Sequence, residues 1–267
     1  MVIKHFLIFL LTTSVYLYGN IDRGEFDALK INALIVKDMK AKHVVYSKEG
    51  DKRVSPASLT KVLTAVLAIK SGKMNHRVTI TREMTKVEPT IANYKRGDVI
   101  VMSDLVKAMM IKSDNDAAKA IAISVGGTEE NFIVMMNRYA HSIGMRNSHF
   151  SNPCGYDGDD HYTTPNDLLK LTEFAIRNST FNAICALNEH TYYSQNNHKK
   201  FYAYTHNRLL NRYEYAVGVK TGYTSKAGQC LIARAKKDGK DFVIVMMHSK
   251  EDRWKTAKNI FEQVLNT

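Results

Sequence analysis

The sequence predicts an α/β protein of the α+β type, in which five antiparallel strands form one sheet flanked by helices. Three observations predict this fold. Strand-like segments lie near both ends of the 267-residue chain, a helical pattern fills residues 103–185, and Asp238-Gly239 signals a tight hairpin between two C-terminal strands. Because the strands at the two ends would share one sheet, the middle of the chain, about 75–205, is expected to form an inserted helical lobe.

The first 19 residues, 1–19, are predicted to be a signal peptide. Lys4 precedes an apolar stretch, 6–18, that is shorter than the ~20 residues needed to span a bilayer, and Gly19 offers a cleavage point. An uncleaved anchor is the alternative. Residues 20–267 are therefore expected to form a single exported domain with no stable membrane anchor.

The N-terminal part of this domain is expected to contain a hairpin and then a helix. The segments NALIVKD and HVVYSKEGD are predicted to be two strands joined by a turn at 39–42. A helix is predicted over 55–72, with Ser55 as its N-cap, Pro56 at its first helical position and apolar residues at helical spacing. Residues 76–101 are expected to form short strands and loops.

Capping signals mark the helices of the inserted lobe. Ser103 and Thr128 are expected to cap two helices, and the TPND segment at 164–167 is a capping-box pattern that opens another. A turn-rich loop is expected over 147–163. The chain then returns to strands in YAVGVKTGY, GQCLIARAKK and DFVIVMMHSK, and it closes with an amphipathic helix, DRWKTAKNIFEQVLN.

The formal net charge of +12 could suggest a nucleic-acid partner. The lysines are dispersed, however, and no RNA-binding aromatic motif accompanies them, so no nucleic acid is expected as a partner. An exported basic protein is better suited to anionic polymers of the cell envelope, although dispersed surface charge is the simpler explanation.

The three cysteines, Cys154, Cys185 and Cys230, have no CxxC spacing and are odd in number. This argues against a disulfide scaffold and against a cysteine zinc site. Three buried thiols are expected, and one disulfide bridge is the alternative.

The residues that stand out in helix 55–72 are Ser58 and Lys61, which lie three positions apart on its first turn. Side chains at i and i+3 are neighbours about 5–6 Å apart. The free N–H groups of a helix N-terminus favour negative charge on the serine oxygen, and a desolvated lysine can lose its proton and take one from the hydroxyl. The pair is a candidate serine–lysine nucleophile, although S-x-x-K also occurs by chance in many helices.

Two further motifs follow in the chain. S-D-N, at 113–115, falls at the break between two predicted helices, and K-T-G, at 220–222, lies on a predicted strand. S-x-x-K, S-D-N and K-T-G in this order are the signature of class A β-lactamases and penicillin-binding proteins. Each triplet alone is a weak match, but three in order, each in its expected setting, make chance a poor explanation.

The sequence resembles the low-molecular-mass penicillin-binding proteins, which are serine D-alanyl-D-alanine carboxypeptidases of the peptidoglycan. The resemblance covers about residues 27–265 and includes the blocks PASLTK, SDNDAA, SNPCGYDGDDHYTTPNDL, HNRLL and VGVKTGYTSKAGQCLIARA. It implies a β-lactamase/transpeptidase-like fold and removal of the terminal D-alanine from peptidoglycan stem peptides through an acyl-enzyme on Ser58. It also implies an enzyme that needs no cofactor and is acylated by β-lactam antibiotics. The sequence departs from many relatives in having no C-terminal domain or amphipathic anchor after residue 265, so a one-module enzyme free in the periplasm is expected.

The resemblance implies a catalytic role for four residues and a supporting role for a fifth. Ser58 is the expected nucleophile and Lys61 its general base. Ser113 would relay the proton to the leaving amine, while Asn115 would hold Lys61 and the substrate amide. Lys220 would supply positive charge that keeps Lys61 neutral and attracts the substrate carboxylate.

The remaining residues are expected from the same resemblance to bind substrate. Thr221 would hydrogen-bond the substrate carboxylate, and Gly222 would let its strand approach the substrate closely. The backbone N–H groups of Tyr223 and Ser58 would form the oxyanion hole. Arg253 resembles a family arginine near the carboxylate pocket, and a surface arginine at the start of the last helix is the alternative.

Three other functions are alternatives for the same residues. A DD-endopeptidase would cut peptidoglycan cross-links by the same chemistry and remains the main alternative. A class A β-lactamase needs a deacylating glutamate after S-D-N, and residues 145–165 contain none, so a slowly hydrolysed penicilloyl-enzyme is expected. A wall-binding pseudoenzyme should have lost Ser58, Lys61 or Lys220, and all three are present.

A metal hydrolase is a further alternative, because the DGDDHY segment offers Asp157, Asp159, Asp160 and His161 as ligands. No second ligand cluster such as HExxH completes a site, and turn residues explain the segment. No metal site is therefore expected.

Overall fold

The structure is a computed structural model that describes residues 21–267. The predicted signal peptide, 1–19, lies outside the described residues and stays a prediction. Within 21–267, no helix is both long enough and apolar enough to cross a membrane.

The described part of the chain contains short helices and strands from end to end. In chain order they are α1 Arg23–Ala28, β1 Ile31–Asp38, β2 His43–Lys48, α2 Lys61–Lys70, β3 Arg77–Thr79, β4 Val99–Val101, α3 Met102–Ile111, α4 Asn115–Gly126, α5 Glu129–Ser142, α6 Pro165–Ala175, α7 Ser179–Cys185, β5 Glu189–Tyr193, β6 Lys200–Tyr204, β7 Ala216–Thr224, β8 Gly228–Lys237, β9 Lys240–Ser249 and α8 Arg253–Leu265.

The central sheet has five antiparallel strands in the spatial order β2-β1-β9-β8-β7, as predicted. The N-terminal hairpin joins the C-terminal strands because β1 pairs with β9, in a register that runs from Ile31 opposite Ser249 to Asp38 opposite Phe242. Asp238-Gly239 forms the tight turn between β8 and β9, with positive φ at both residues. Strand β7 lies at the edge of the sheet.

Both faces of this sheet are covered, which explains why its strands are nearly continuous apolar runs. In β1, Ala33 and Ile35 enter the cluster shared with the inserted lobe, whereas Leu34 and Val36 enter the cluster under α1 and α8. The two pairs separate because successive side chains of a strand point to opposite faces. The lobe-side cluster packs α2 against the sheet.

The segment between β2 and β7 contributes no strand to the central sheet. It contains most of the helices and two small hairpins, β3–β4 and β5–β6. The sequence did not predict the β5–β6 hairpin. Its inward residues, Tyr192, Phe201 and Ala203, are buried against the lobe, so packing rather than a turn signal defines it.

Two of the predicted helix caps are confirmed. The hydroxyls of Thr128 and Thr164 each accept a hydrogen bond, at 3.1 Å, from the backbone N–H three residues ahead. The predicted cap at Ser103 is wrong, because β4 runs directly into α3 and the helix begins at Met102.

The start of the Ser58 helix also differs from the prediction. Ala57–Thr60 forms a 3₁₀ turn, and α2 follows from Lys61. Ser55 caps no helix, because its hydroxyl donates to Asp157 Oδ1 at 2.6 Å. Ser58 therefore lies in a tight turn ahead of α2 rather than in a regular first helical turn.

The closing helix α8 should contribute strongly to stability through Phe261, which is fully buried against the sheet. Phe261→Ala is expected to lower the free energy of unfolding by about 3–5 kcal/mol, because it removes apolar contacts and leaves a cavity. Urea denaturation measures the change. Val134→Ala, at an exposed position of α5, is the control and should change stability by no more than about 0.5 kcal/mol. Equal losses in the two variants would contradict this role of α8.

Candidate active site

Two glycines allow close packing around the turn that carries Ser58. Gly155 has a φ of +91°, and a Cβ there would lie 1.9 Å from the carbonyl oxygen of Ala57. A Cβ on Gly222 of β7 would lie 3.1 Å from the backbone nitrogen of Ser58. Gly222 thus lets β7 approach the turn of Ser58. The turn is wedged between β7 and the loop 147–163.

Lys61 is fully buried directly after this turn. Its Nζ lies 2.9 Å from Ser58 Oγ, 2.7 Å from Asn115 Oδ1 and 2.5 Å from the carbonyl oxygen of Cys154. The amide of Asn115 is held in this orientation because its Nδ2 donates to the carbonyl oxygen of Glu88 at 2.7 Å. Three oxygens from three different segments therefore surround one buried nitrogen.

These three partners suit a neutral amine. Such an amine has two N–H groups and one lone pair, whereas the Asn115 amide oxygen and the Cys154 carbonyl oxygen can only accept hydrogen bonds. If these two oxygens take both hydrogens, the lone pair is left facing the hydroxyl of Ser58. The geometry can therefore withdraw the proton of Ser58 by general-base chemistry.

Burial lowers the pKa of both lysines of the motifs. It lowers the pKa of Lys61 from its ordinary value of 10.5 to about 8, because the interior penalises the ammonium form. Burial also lowers the pKa of Lys220, and the neighbouring charges of Lys61 and Arg253 lower it further. Burial is thus the main cause of the lowered pKa of Lys61.

The second and third motifs contact each other through Ser113. This serine lies in the break between α3 and α4 with a φ of +71°, and its hydroxyl accepts a hydrogen bond from Lys220 Nζ at 3.0 Å. The same amine donates to the carbonyl oxygen of Thr221 at 3.0 Å. A buried amine therefore holds the Ser113 hydroxyl beside β7.

A cleft of about 720 Å³ opens over these residues. Within the described part of the chain its lining consists of Ser58, Pro89, Thr90, Ser113, Tyr204, Thr205, His206, Arg208, Thr221, Gly222, Tyr223, Arg253 and Trp254. Six of the nine predicted site residues are in this lining, and the other three, Lys61, Asn115 and Lys220, are buried. The lining includes no aspartate or glutamate, so the cleft favours an anionic ligand.

Arg253 is part of this site and not a free surface arginine. Its Nη1 donates to the carbonyl oxygens of Gly222, at 2.7 Å, and Cys230, at 3.1 Å. Its buried Nε has no hydrogen-bond partner among residues 21–267. The guanidinium is thus fixed by two backbone carbonyls in the wall of the cleft.

Sequence reasoning missed several features of the site. Tyr204 and Arg208 line the cleft, and the carbonyl oxygens of Cys154 and Glu88 position Lys61 and its partner Asn115. Every residue type has a backbone carbonyl, so residue identity carries no signal for such contacts.

The cysteines and the acidic loop are structural. All three cysteines are free and buried, as expected. Asp157 accepts hydrogen bonds from the hydroxyls of Ser55 and Thr224, and His161 Nε2 lies 2.9 Å from Thr60 Oγ1. Within 21–267, no group of three or more histidine, cysteine, aspartate or glutamate residues could hold a metal ion.

Comparison with known proteins assigns the chain to a family. The model of the D-alanyl-D-alanine carboxypeptidase family, peptidase family S11, matches residues 23–251. The chain belongs to this family. The predicted family is thereby confirmed, and family membership supports the predicted enzyme class, a serine-type D-alanyl-D-alanine carboxypeptidase.

Curated relatives of the S11 chain agree with this assignment. The D-alanyl-D-alanine carboxypeptidase DacF of Bacillus subtilis is 30% identical over 220 residues, which cover 80% of this chain and 56% of the relative. The chain thus spans just over half the length of DacF. A D-alanyl-D-alanine endopeptidase of Haemophilus influenzae is 30% identical over 201 residues, which cover 74% of this chain and 68% of the relative.

A solved structure confirms the predicted fold. A variant of the DD-transpeptidase of Streptomyces K15 superposes on the S11 chain with a TM-score of 0.85 and 26% sequence identity, covering 90% of this chain and 99% of that one. The five-stranded sheet with its inserted helices is therefore the fold of a DD-transpeptidase.

The close approach of Gly155 to the carbonyl oxygen of Ala57 should affect the free energy of unfolding of the protein. Gly155→Ala is expected to cost about 3–5 kcal/mol of unfolding free energy, because the new Cβ meets the Ala57 carbonyl in addition to the unfavourable φ. Gly144→Ala is the control, since its φ is +85° but nothing lies within 4 Å of a Cβ there. It should cost only about 1–2 kcal/mol. Equal losses in urea denaturation would show that the approach to Ala57 is no constraint.

Proposed function

We propose that this chain is a serine-type D-alanyl-D-alanine carboxypeptidase that removes the terminal D-alanine from peptidoglycan stem peptides through an acyl-enzyme on Ser58. The observation that carries the proposal is the buried amine of Lys61, which has two acceptor-only partners and faces the Ser58 hydroxyl. Membership of the S11 family and the name of the DacF relative support the same activity.

The proposed reaction begins at the D-Ala–D-Ala peptide bond. Lys61 Nζ takes the proton of Ser58 while Ser58 Oγ bonds to the carbonyl carbon. The proton then passes to the nitrogen of the leaving D-alanine through the hydroxyl of Ser113, which Lys220 holds in place. The C–N bond breaks and D-alanine leaves. Water then attacks the ester carbonyl, so the shortened peptide leaves with a carboxyl group and a proton returns to Ser58 Oγ.

Backbone donors are proposed to stabilise the oxyanion. Tyr223 follows Gly222 in β7, and the backbone nitrogen of Ser58 lies 3.1 Å from where a Cβ on Gly222 would be, so the glycine allows β7 to pack against the serine turn. Fixed donors of this kind favour the negative charge that develops on the carbonyl oxygen. Because β7 is an edge strand, it can also pair with an extended substrate backbone.

The terminal carboxylate of the substrate is proposed to bind beside Thr221 and Arg253. Both line the cleft, where Thr221 offers a hydroxyl and Arg253 a fixed positive charge. No acidic side chain in the lining competes for these donors. A substrate without a free terminal carboxylate should therefore bind less well.

The domain organisation and location form part of the proposal. We infer that residues 20–267 act as one catalytic domain that is exported to the periplasm after a leader at 1–19, where peptidoglycan is its substrate and nucleic acid is not. The positive net charge of the chain suits anionic wall polymers.

Endopeptidase activity is the second candidate. It would use the same acyl-enzyme to cut peptidoglycan cross-links, and the name of the Haemophilus influenzae relative favours it. Product analysis by liquid chromatography separates the two activities. Free D-alanine from monomeric pentapeptide supports the carboxypeptidase, and conversion of cross-linked dimers to monomers supports the endopeptidase.

Benzylpenicillin should acylate the protein on Ser58. Intact-mass spectrometry is expected to show a stable adduct of one penicilloyl group, because no acidic residue lines the cleft to activate a deacylating water. The Ser58→Ala variant, folded to the same extent by circular dichroism, should form no adduct. An adduct that persists in Ser58→Ala, or rapid consumption of penicillin, would contradict the proposed nucleophile or the slow deacylation.

The acylation rate should rise with pH. Lys61 acts as a base only when it has lost its proton, and its pKa is lowered to about 8. The second-order rate constant with benzylpenicillin should therefore increase about tenfold per pH unit below 8 and level off above it. Burial lowers the pKa of His206 to about 4, so this histidine should add no inflection between pH 5 and 7. A rate independent of pH from 6 to 9 would refute Lys61 as the base.

A further inference from the structure

Large exposed hydrophobic side chains are concentrated beside the cleft. Among residues 21–267 they are Val44, Val134, Tyr193, Tyr202, Tyr204 and Tyr223. Three of these tyrosines lie on the β5–β6 hairpin, and the fourth lies in the cleft lining. Scattered single hydrophobic residues are normal on a protein surface, but a contiguous group marks an interaction site.

The three hairpin tyrosines share one face of the hairpin. Alternation along β6 points Tyr202 and Tyr204 away from the lobe, while Phe201 and Ala203 are buried. On β5, Tyr193 pairs with Lys200 and Thr191 pairs with Tyr202, so Tyr193 lies on the same face as Tyr202 and one pair further along the hairpin. We call Tyr193, Tyr202 and Tyr204 the tyrosine face. Their side chains are 47%, 51% and 51% exposed.

Hydrogen bonds hold two of these rings in position. Tyr202 Oη donates to Glu189 Oε2 at 2.6 Å, and Asn211 Nδ2 donates to Tyr204 Oη at 3.2 Å. The hairpin itself is anchored from behind, where the Tyr192 and Phe201 rings stack at 5.3 Å. Rings that are already fixed lose little conformational entropy when a ligand covers them.

The tyrosine face continues the cleft. Tyr204 belongs to both, because it also lines the cleft together with Ser58. Residues i and i+2 of a strand are about 7 Å apart, so the face extends away from the cleft in steps of about that length. A ligand that leaves the cleft over Tyr204 would meet Tyr202 and then Tyr193.

We propose that the tyrosine face binds the sugar chain to which a stem peptide is attached. This inference rests on the proposed function, since a stem peptide in the cleft brings its glycan strand with it. Pyranose rings present C–H groups that pack on the faces of aromatic rings, and their hydroxyl and amide groups can bond to polar neighbours. Thr191 and Lys200 provide such neighbours on the same face.

The composition of the face favours a neutral sugar chain over other partners. Lys200 is its single cation and Glu189 lies beside it, so the face lacks the cluster of basic residues that binds an anionic membrane surface. Three adjacent rings also offer much less area than the roughly 800 Å² per partner of a stable protein interface.

Binding to glycan strands that carry no peptide tests the proposal directly. The Ser58→Ala protein is compared with the same protein carrying Tyr193→Ser and Tyr202→Ser, by calorimetry with oligomers of N-acetylglucosamine, which are uncharged glycan strands. The double change is expected to weaken binding about tenfold or more, since each aromatic contact contributes measurably to affinity. Tyr202→Phe, which keeps the ring, and Val134→Ala, an exposed apolar residue outside the face, should bind like the parent.

Kinetics with the active enzyme separate this proposal from the proposed function. The Tyr193→Ser/Tyr202→Ser enzyme should be acylated by benzylpenicillin, and should cleave a free pentapeptide, at the parent rate within about twofold, because neither residue lines the cleft. Its kcat/KM on glycan-linked pentapeptide should fall about tenfold. Failure of penicillin acylation in the parent would refute the proposed function, whereas glycan binding would still be measured with the Ser58→Ala protein.

Three results would overturn the inference. The first is equal binding of glycan strands by the parent and the double variant. The second is an equal loss on free and glycan-linked peptide, which would place the effect in the cleft. The third is that the double change leaves glycan binding intact but abolishes either dimer formation or binding to phosphatidylglycerol vesicles. Loss of the dimer would assign the face to a second copy of the chain, and loss of vesicle binding would assign it to a lipid surface.

Discussion

The burial of one amine, that of Lys61, is the constraint on which the rest of the site depends. A buried ammonium is costly, so its nitrogen must be surrounded by acceptors or lose its proton. Asn115 at the start of α4, Cys154 in the loop 147–163 and Ser58 in the 3₁₀ turn supply those acceptors. Lobe, loop and serine turn are thus aligned on one nitrogen, and the same contacts that satisfy it leave it able to act as a base.

Close backbone packing keeps this arrangement rigid. Ala57 and Ser113 both have positive φ values, of +48° and +71°, which non-glycine residues adopt only when their surroundings impose them. Around Ala57, Gly155 and Gly222 provide those surroundings by bringing backbone against the serine turn. A site built in this way needs little rearrangement when charge develops during a reaction.

Much of the fold follows from local patterns in the sequence. The five sheet strands are predictable because long apolar runs bounded by turn residues suit a sheet that is covered on both faces. The caps at Thr128 and Thr164 are predictable because a hydroxyl there satisfies free N–H groups. The β5–β6 hairpin is not predictable from local patterns, because Tyr192 and Phe201 form strands through their packing against the lobe. The start of α3 is not predictable either, because β4 runs directly into it.

The sequence by itself determined the family and singled out the candidate site residues, because three motifs in a fixed order contain Ser58, Lys61 and Lys220. Only the tertiary structure decided how those residues are used. The lowered pKa of Lys61 depends on its burial, and the position of its amine depends on the carbonyl oxygen of Cys154. The place of Tyr204 beside the cleft depends on the path of a hairpin. Burial and backbone contacts arise between distant segments, so no local pattern of residue types encodes them.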